Sequence, residues 1–285
     1  MCTIGAVVCR DEADEWRVLG FKNSDSPPVG FWHGRTGSEG GYSSLAYGIL
    51  PQTGVNAGVN EQGLLLISSY FGCTDPEDRG GKADSYWTGD LRGTVQAEAL
   101  ARCESADEAL ALMQERYASA EAITVGGSHI LADRTGRLLA FEHLGRAAAS
   151  QDASGQGWIA RSNQAFGICE ASQRQLSEPI RADRSLRLAR AEEALKPIAG
   201  RRLEREAAIG ALKSLLSSHR GESGEAPGSV CAHGVVLGRS NAALPHVTLS
   251  GLIWDATAGE MHYTLGRPCA SDWHRIGFGA GGLRT

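Results

Sequence analysis

Strand and helix patterns occur in separate blocks along this sequence of 285 residues. Strand patterns come first, a pair of helices follows, and a second group of strands, a second helix pair and closing strands complete the chain. A doubly wound parallel sheet would instead place single helices between successive strands, so the paired helices argue against it. Two antiparallel sheets stacked face to face, with one helix pair outside each, would bury all of these apolar stripes. The sequence therefore predicts an α+β fold of this layered kind, as one domain over residues 1–285.

The individual elements follow from short-range signals. Alternation and turn residues predict strands at 2–9, 16–22, 42–49, 55–59, 64–71, 128–132, 138–142, 158–162, 230–236, 247–254 and 261–265. Helical spacing predicts helices at 91–102, at 185–196 and at 203–218. A capping box that begins at Ser105 predicts a further helix directly after the first one. Residues 26–54 are rich in Gly, Ser and Pro and are expected to form loops, apart from the strand at 42–49. The glycine-rich tail from about residue 271 is expected to be mobile.

The charge and cysteine patterns exclude several classes of function. The net charge is −5, without a basic stripe, which argues against nucleic acid as a partner. Seven widely spaced cysteines without a C-x-x-C pair favour reduced thiols over disulfides or zinc. Eight scattered histidines show no H-x-x-x-H spacing, so no metal is predicted, and nothing indicates a cofactor.

No segment of the sequence is apolar enough to predict a membrane span. The first apolar run covers only five residues and meets an acidic segment at once, so it is typical of neither a signal peptide nor a transmembrane helix. We expect a cytoplasmic protein that acts on a small molecule without a membrane partner. A homo-oligomer is compatible with the sequence.

The first residues, Met1-Cys2-Thr3, carry the most informative chemistry. Cysteine is small, so an aminopeptidase is expected to remove Met1 and leave Cys2 with a free α-amine. A cysteine thiol titrates near pH 8.5 and an α-amine near pH 8, so the amine could serve as the general base for its own side chain. An ordinary buried cysteine on a first strand is the alternative, and these three residues alone favour that alternative.

Candidate partners for Cys2 come from two strand ends. A hairpin over 2–22 would return Lys22 and Asp25 to the neighbourhood of Cys2, where the cation would favour the thiolate and the carboxylate would hold the α-amine. A solvated lysine and a turn aspartate are the alternative. Asn163, at the end of another predicted strand, could donate its amide to a developing oxyanion. Its alternative role is an Asx turn.

Four motifs in order carry a resemblance to a known group of enzymes. They are Met1-Cys2-Thr3, Lys22-Asn23-Ser24-Asp25, Gly58-Val59-Asn60-Glu61-Gln62-Gly63-Leu64 and Arg161-Ser162-Asn163. This series resembles the N-terminal nucleophile (Ntn) hydrolases, in particular the acyl-CoA:6-aminopenicillanate acyltransferase family (peptidase family C45) and the related choloylglycine hydrolase/penicillin V acylase family. The closing stretches favour the first of these, and the match runs from residue 1 to about residue 270. These stretches are Val230-Cys231-Ala232-His233, Thr248 to Asp255 and Leu265-Gly266-Arg267-Pro268-Cys269.

The resemblance implies a four-layer αββα sandwich and attack by Cys2 on an amide or thioester carbonyl. By position, Asp25 matches the family carboxylate near the nucleophile and Asn163 its oxyanion asparagine. Tyr70 falls where related acylases place Asn or Tyr near the oxyanion, and Arg187 matches an arginine at the start of a helix.

The sequence also departs from the family pattern at several positions. Lys22 stands where bile-salt hydrolases carry arginine, and Gln164 replaces a common histidine. A basic residue expected before the closing strands is either Arg239 or His246. Asn60 and Gly63 are interpreted as turn-forming residues.

Several functions remain open from sequence. The leading hypothesis is an amidohydrolase that cleaves a small non-peptide amide through an acyl-enzyme on Cys2. The same chemistry could transfer an acyl group from a thioester or amide to an amine, with acyl-CoA entering only as a substrate. A different class is an internal thiol hydrolase that uses Cys73, Cys231 or Cys269 with His33, His233 or His274. A non-catalytic small-molecule-binding protein on the same fold is the last alternative.

Overall fold

The computed structural model describes residues 2–37, 39–71, 91–119, 126–144, 147–168, 176–237 and 245–279. Within these ranges the chain forms two seven-stranded antiparallel sheets and two pairs of helices. The strands are β1 (Cys2–Arg10), β2 (Trp16–Ser26), β3 (Phe31–Thr36), β4 (Ser44–Ile49), β5 (Ala57–Asn60), β6 (Leu65–Tyr70), β7 (Gly127–Ala132), β8 (Leu138–Leu144), β9 (Ala147–Asp152), β10 (Trp158–Arg161), β11 (His233–Val235), β12 (His246–Asp255), β13 (Glu260–Thr264) and β14 (Trp273–Gly277). The helices are α1 (Leu91–Arg102), α2 (Ala106–Ser119), α3 (Glu178–Leu195) and α4 (Arg205–Ser217).

The first sheet places the N-terminal hairpin at its centre. Its strand order is β10-β1-β2-β12-β13-β14, and β11 pairs with β12. In the β1–β2 ladder, Cys2 lies opposite Ser24 and Ile4 lies opposite Lys22. The end of β2 continues beside β12, where Asp25 lies opposite Thr248. The hairpin therefore brings the end of β2 and the start of β1 to one edge of the sandwich, as the sequence predicts.

The second sheet is a simple meander in the order β3-β4-β5-β6-β7-β8-β9. Asn60 shapes the turn between β5 and β6, because its Oδ1 accepts the backbone N–H groups of Gln62 and Leu64. Gly63 adopts a left-handed φ of 85° in the same turn, which glycine tolerates without steric cost. Both residues are thus turn-forming residues.

Three apolar layers hold the sheets and helices together. The central layer lies between the sheets and contains Ile4, Ile67 and Trp254. A second layer packs α1 and α2 on the meander sheet, and a third packs α3 and α4 on the sheet of β1 and β2. Alternate residues of β1 serve different layers, since Cys2 and Ile4 face the other sheet while Val7 and Cys9 face the helices. The predicted αββα arrangement is confirmed.

Several predicted boundaries are wrong. The predicted loop at 26–54 contains β3, the predicted mobile tail contains β14, and β9 was not predicted at all. Only 233–235 of the predicted strand 230–236 is a strand, and α3 starts at Glu178 rather than at 185. Residues 280–285 of the tail lie outside the described residues. Within the described ranges, the helices are all too short or too polar to cross a bilayer.

Candidate active site

The thiol of Cys2 lies at the mouth of the space between the two sheets. Cys2 is the first residue of β1, and only 8% of it is exposed. Its backbone nitrogen donates a hydrogen bond of 2.6 Å to Oδ1 of Asn163. This nitrogen would become the α-amine after removal of Met1, which lies outside the described residues. Asn163 therefore fixes the position of the nitrogen that would act as the base for the Cys2 thiol, the nucleophile predicted from the sequence.

The side-chain amide of Asn163 has a defined orientation. Its Oδ1 faces two donors, the nitrogen of Cys2 and a guanidinium nitrogen of Arg187 at 3.2 Å. Its Nδ2 donates to the backbone carbonyl of Tyr70. Two converging donors require the oxygen on that side, so the amide cannot be flipped without losing both bonds. An amide nitrogen carries two hydrogens, and the bond to Tyr70 uses one of them.

The backbone around Asn163 is fixed on both sides. Asn163 has a left-handed φ of 64°, which is uncommon for a residue with a side chain. The hydroxyl of Ser162 donates to the carbonyl of Arg184, and Ser128 donates to the carbonyl of Gln164. These contacts from α3 and β7 stabilise a backbone conformation that Asn163 alone would rarely adopt, and such positions are frequent at functional sites.

Arg187 connects the start of β1 to helix α3. It donates 2.7 Å to the carbonyl of Cys2 and 3.1 Å to the hydroxyl of Thr3. The carboxylate of Asp183, one turn earlier, accepts two guanidinium bonds of 2.9 and 2.8 Å. Gly228 donates its N–H to the other carboxylate oxygen of Asp183 at 2.7 Å. Because both partners of this ion pair are buried and fully engaged, the guanidinium has a fixed position against Cys2.

Lys22 supplies a buried amino group next to the thiol. Its Nζ donates 2.5 Å to the carbonyl of Ser68 on the opposite sheet. Burial lowers the pKa of Lys22, whereas attraction and a hydrogen bond to the Cys2 side chain favour the charged form. The lysine therefore crosses the space between the sheets and lies within hydrogen-bonding reach of the Cys2 thiol, as the sequence predicts.

Asp25 lies on the helix side of the same sheet edge. The hydroxyl of Thr248 donates 2.6 Å to its Oδ1 and accepts the N–H of Ala232 at 2.8 Å. Burial raises the pKa of Asp25, while the positive charge of Arg187 and the Thr248 hydrogen bond oppose this shift. A buried carboxyl between a cation and a hydroxyl donor is suited to holding an α-ammonium group.

An open depression of about 420 Å³ adjoins this edge. Apolar side chains on its wall include Phe31, Leu249 and Leu265, and Arg267 provides a positive charge at its rim. Thr248, the partner of Asp25, also lines it. The depression is thus connected to Asp25 through Thr248.

Comparison with solved structures identifies the fold. The penicillin V acylase from Agrobacterium tumefaciens superposes with a TM-score of 0.62 at 15% identity, over 97% of this chain and 86% of that one. A Caenorhabditis elegans ortholog of N-acylethanolamine-hydrolyzing acid amidase superposes with a TM-score of 0.55 at 11% identity, over 88% of this chain and 92% of that one. This chain has the Ntn-hydrolase fold. No protein-family model matches the sequence, and no curated protein matches it.

In this Ntn-hydrolase fold, five of the six predicted site residues gather directly around the start of β1. They are Cys2, Lys22, Asp25, Asn163 and Arg187. The sixth, Tyr70, joins through its backbone carbonyl, while its ring lies beside the guanidinium of Arg92, with 5.2 Å from the guanidinium carbon to the ring centroid.

Two positional predictions need correction or completion. Arg187 lies in the middle of α3 rather than at its start, because the helix begins at Glu178. Of the two alternative basic residues, His246 is the first residue of β12, and Arg239 lies outside the described residues.

Four residues that contribute to the site were not predicted from sequence. Asp183 holds Arg187, Thr248 holds Asp25, and Glu142 accepts the N–H groups of Phe166 and Gly167 just after Asn163. The fourth, Tyr47, projects from β4 into the central layer, where burial raises the pKa of its phenol and the thiol of Cys2 adds a smaller effect. For these four residues, the sequence offers one signal, the i, i+4 spacing of Asp183 and Arg187, which is typical of an ion pair on one face of a helix.

The internal thiols proposed as an alternative nucleophile also have defined positions. Sγ of Cys269 lies 3.0 Å from Nε2 of His233, and Sγ of Cys231 lies 3.5 Å from the same nitrogen. Burial raises the pKa of Cys231 to about 12, which keeps this thiol protonated at neutral pH. His33 instead contacts the hydroxyl of Ser250 at 2.9 Å, and the ring of His274 lies against Tyr263. Cys73 lies outside the described residues.

Proposed function

We propose that this chain is a cysteine amidohydrolase that cleaves a small non-peptide amide through an acyl-enzyme on Cys2. The observation that carries this proposal is the 2.6 Å hydrogen bond from the nitrogen of Cys2 to Oδ1 of Asn163, with Arg187 bonded to both residues. An internal core cysteine has no need of a buried amide and a guanidinium at its backbone. An N-terminal nucleophile requires its amine to be oriented.

The proposed reaction begins when the α-amine of Cys2, free after loss of Met1, accepts the thiol proton. Asn163 orients the amine through its Oδ1, and the ammonium of Lys22 stabilises the thiolate. The thiolate attacks the amide carbonyl, and the second hydrogen on Nδ2 of Asn163 is the proposed donor to the oxyanion. The α-ammonium then returns the proton to the leaving amine, and water attacks the resulting thioester to release the acid.

The proposed acyl-binding region is the depression beside Thr248. Its apolar wall of Phe31, Leu249 and Leu265 suits an acyl chain or an aryl group, and its volume of about 420 Å³ suits a small substrate rather than a folded protein. The positive charge of Arg267 at the rim favours a substrate that carries a carboxylate or another anionic group on that side.

Two kinds of amide provide a direct test, because two of the proteins with the same fold are a penicillin V acylase and an N-acylethanolamine-hydrolyzing acid amidase. Penicillin V and an N-acylethanolamine series are incubated with the purified protein, and the acid and amine products are quantified by mass spectrometry. We expect release of both products, reduced to background by Cys2→Ala. The matched control is Cys103→Ala, since Cys103 is a buried cysteine of the helix-side layer.

Adding a small amine such as ethanolamine to the reaction separates hydrolysis from acyl transfer. Hydrolysis predicts free acid as the main product at all acceptor concentrations. Transfer product in excess of free acid would favour the acyltransferase alternative, for which the same Cys2 acyl-enzyme would serve. Turnover that persists in Cys2→Ala would refute both.

A further inference from the structure

A cluster of two thiols and two imidazoles lies next to the candidate active site and takes no part in the proposed reaction. Its members are His219 after α4, Cys231 just before β11, His233 at the start of β11, and Cys269 between β13 and β14. The ligand atoms of His219, His233 and Cys269 all lie within 4.8 Å of one another. Sγ of Cys231 lies outside this group of three but close to two of its members, 3.4 Å from Sγ of Cys269 and 3.5 Å from Nε2 of His233.

The spacing of these atoms matches a small tetrahedral metal site. Zinc bonds to thiolate sulfur at about 2.3 Å and to imidazole nitrogen at about 2.0–2.1 Å, which places tetrahedral ligands about 3.3–3.8 Å apart. The observed separations are 3.4 Å between the two sulfurs and 3.5 and 3.0 Å from Nε2 of His233 to the sulfurs of Cys231 and Cys269. These three atoms already have the required spacing, and a movement of the His219 side chain towards Cys231 would bring all four ligand atoms to one metal ion.

Both imidazoles are oriented as metal-binding histidines are. Nδ1 of His219 lies 3.1 Å from the carbonyl of Gly221, so it carries the proton and leaves the lone pair of Nε2 free. Nδ1 of His233 faces Gly224, and the backbone of Ser223 hydrogen-bonds to the same ring. Gly224 has a left-handed φ of 70°, and a Cβ at this position would lie 2.7 Å from the His233 ring. The glycine-rich loop thus closes against the ring while Nε2 points at the thiols.

Hydrogen bonds to backbone carbonyls hold the three segments together next to the ligands. The N–H of Cys231 donates 2.8 Å to the carbonyl of Ser218, the residue before His219. The hydroxyl of Ser217 donates 3.1 Å to the carbonyl of Pro268, the residue before Cys269. The four ligands are therefore held close by contacts that do not depend on their own side chains, which reduces the entropy cost of binding a metal ion.

We propose that His219, Cys231, His233 and Cys269 form a binding site for a zinc-type divalent cation. Two thiolates and two imidazoles favour Zn²⁺ over Mg²⁺ or Ca²⁺, which prefer oxygen ligands. On binding, the two thiols release their protons to solvent as two metal–sulfur bonds form, with no change in oxidation state. A Cys231–Cys269 disulfide is the competing outcome, but it would require an oxidant and would leave both imidazoles without a role.

The site has a structural place near the proposed chemistry. Ala232, between the ligands Cys231 and His233, donates its N–H to Thr248, which in turn donates to Asp25. Arg267 and Ala270, close to Cys269 in sequence, line the depression beside Thr248. A bound cation would therefore fix both the segment behind Asp25 and one wall of the depression. The spacing rules applied to the sequence do not detect a site of this kind, because its ligands come from three segments.

Cobalt titration of the reduced, chelator-treated full-length protein tests the proposal. We expect one Co²⁺ per chain, with the visible bands of tetrahedral cobalt and a near-ultraviolet thiolate charge-transfer band, both lost on addition of Zn²⁺. Cys269→Ala and His219→Ala should each weaken binding by at least about 100-fold, since one of four ligands is lost. Cys103→Ala and His274→Ala are the matched controls and should bind as the wild type does. Circular dichroism establishes that each variant is folded.

Three results would overturn the proposal. The first is no cobalt spectrum in the reduced wild type, and the second is an unchanged spectrum in folded Cys269→Ala. The third is an alkylation rate of Cys269 by iodoacetamide that Zn²⁺ does not change, which would indicate a thiol–imidazole pair without a metal ion. A Cys231–Cys269 disulfide found by peptide mapping in the unreduced protein, together with no cobalt binding after reduction, would assign the thiols to redox chemistry instead.

Discussion

The carboxyl of Asp25 is buried between Thr248 and the charge of Arg187, and burial raises its pKa above the ordinary value of 3.8. Between the unfolded and folded values, the folded protein binds the proton more tightly, so its stability falls as pH rises through this interval. Above the folded value the loss is complete. At pH values above the folded pKa, the charged form of Asp25 is therefore retained at a cost in stability.

We predict that Asp25→Asn raises the melting temperature at pH 7 and lowers kcat/KM by about 100-fold. The asparagine can still accept the hydroxyl hydrogen of Thr248, but it cannot hold an α-ammonium by charge. The gain in melting temperature should shrink to nothing as pH falls below 3.8, where the wild-type carboxyl is also neutral. Thermal melts of both proteins from pH 3 to 8 measure this, and a lower melting temperature for Asp25→Asn at pH 7 would contradict the assignment.

Lys22 provides a second prediction at the residue scale. Replacing it with methionine removes the ammonium that contacts the Cys2 thiol and the Ser68 carbonyl. We expect the alkylation rate of Cys2 by iodoacetamide at pH 7 to fall by about tenfold, because the attacking sulfur loses the favourable charge of a neighbouring ammonium. Lys196→Met is the matched control, since the Lys196 side chain is 57% exposed and lies on the C-terminal side of α3. Equal alkylation rates in both variants would exclude Lys22 from the site.

At the scale of elements, one buried ion pair connects the two sheets beside Asn163. Arg161 of β10 donates 2.9 Å to Glu142 of β8, whose other oxygen accepts the N–H groups of Phe166 and Gly167 at 2.8 Å. Both side chains are at most 5% exposed. Removing one charge leaves the other buried without a partner, which typically costs about 3–5 kcal/mol.

We predict that Glu142→Gln lowers the free energy of unfolding by about 3 kcal/mol or more and reduces activity with it. Asp107→Asn is the control, because Asp107 and its ion-pair partner Arg137 are both partly exposed. This substitution should lower the free energy of unfolding by less than about 1 kcal/mol. The double variant Arg161→Met/Glu142→Met should regain stability without regaining activity, since Phe166 and Gly167 still lack their acceptor. Urea unfolding and kcat/KM of the three variants separate these effects, and a fully active double variant would refute a positioning role.

The strands that sequence reasoning missed share a physical cause. Strands β3 and β9 form the two edges of the meander sheet, and β14 forms an edge of the other sheet. The residues of these three strands are exposed or half-buried, so none of the strands has a fully buried face. In β9, for example, five of the six residues are exposed. Alternation marks a strand only where one face is buried, so central hairpins such as β1–β2 could be predicted and these edges could not.

Helix α3 shows the same limitation at the site. Its buried face carries Asp183, Arg184 and Arg187, so its N-terminal half lacks the apolar period that predicted its C-terminal half. The sequence placed Cys2, Lys22, Asp25 and Asn163 near one another through one hairpin and one ordered set of motifs. Partners such as Asp183 and Thr248 depend on how the helix and β12 pack, which no local pattern reports.

At the scale of the whole molecule, the site needs both sheets and one helix pair. Cys2 and Asp25 come from one sheet, the Ser68 and Tyr70 carbonyls from the other, and Arg187 from α3. These groups lie around Cys2, whose backbone nitrogen donates to Asn163. The state of that nitrogen therefore decides whether the assembled groups have an amine to orient.

Blocking Met1 removal tests this dependence. Inserting a lysine between Met1 and Cys2 prevents aminopeptidase trimming, because the residue after Met1 is then large. We expect this variant to fold, since one backbone N–H at Cys2 still reaches Asn163, and to lose amide cleavage because its nitrogen is an amide. Inserting an alanine instead lets Met1 be removed, but the Cys2 nitrogen then remains in a peptide bond with the alanine. This variant should be equally inactive. Full activity in either insertion variant would contradict an N-terminal nucleophile.

The most direct measurement is the intact mass of the purified protein before and during reaction with an amide substrate or a reactive acyl ester. The account predicts a mass that lacks Met1, a transient gain equal to one acyl group, and peptide mapping of that group to Cys2 alone. Cys2→Ala should show no gain, and Cys103→Ala should behave as the wild type does. A retained Met1, or an acyl group found on any other cysteine, would contradict the central claim.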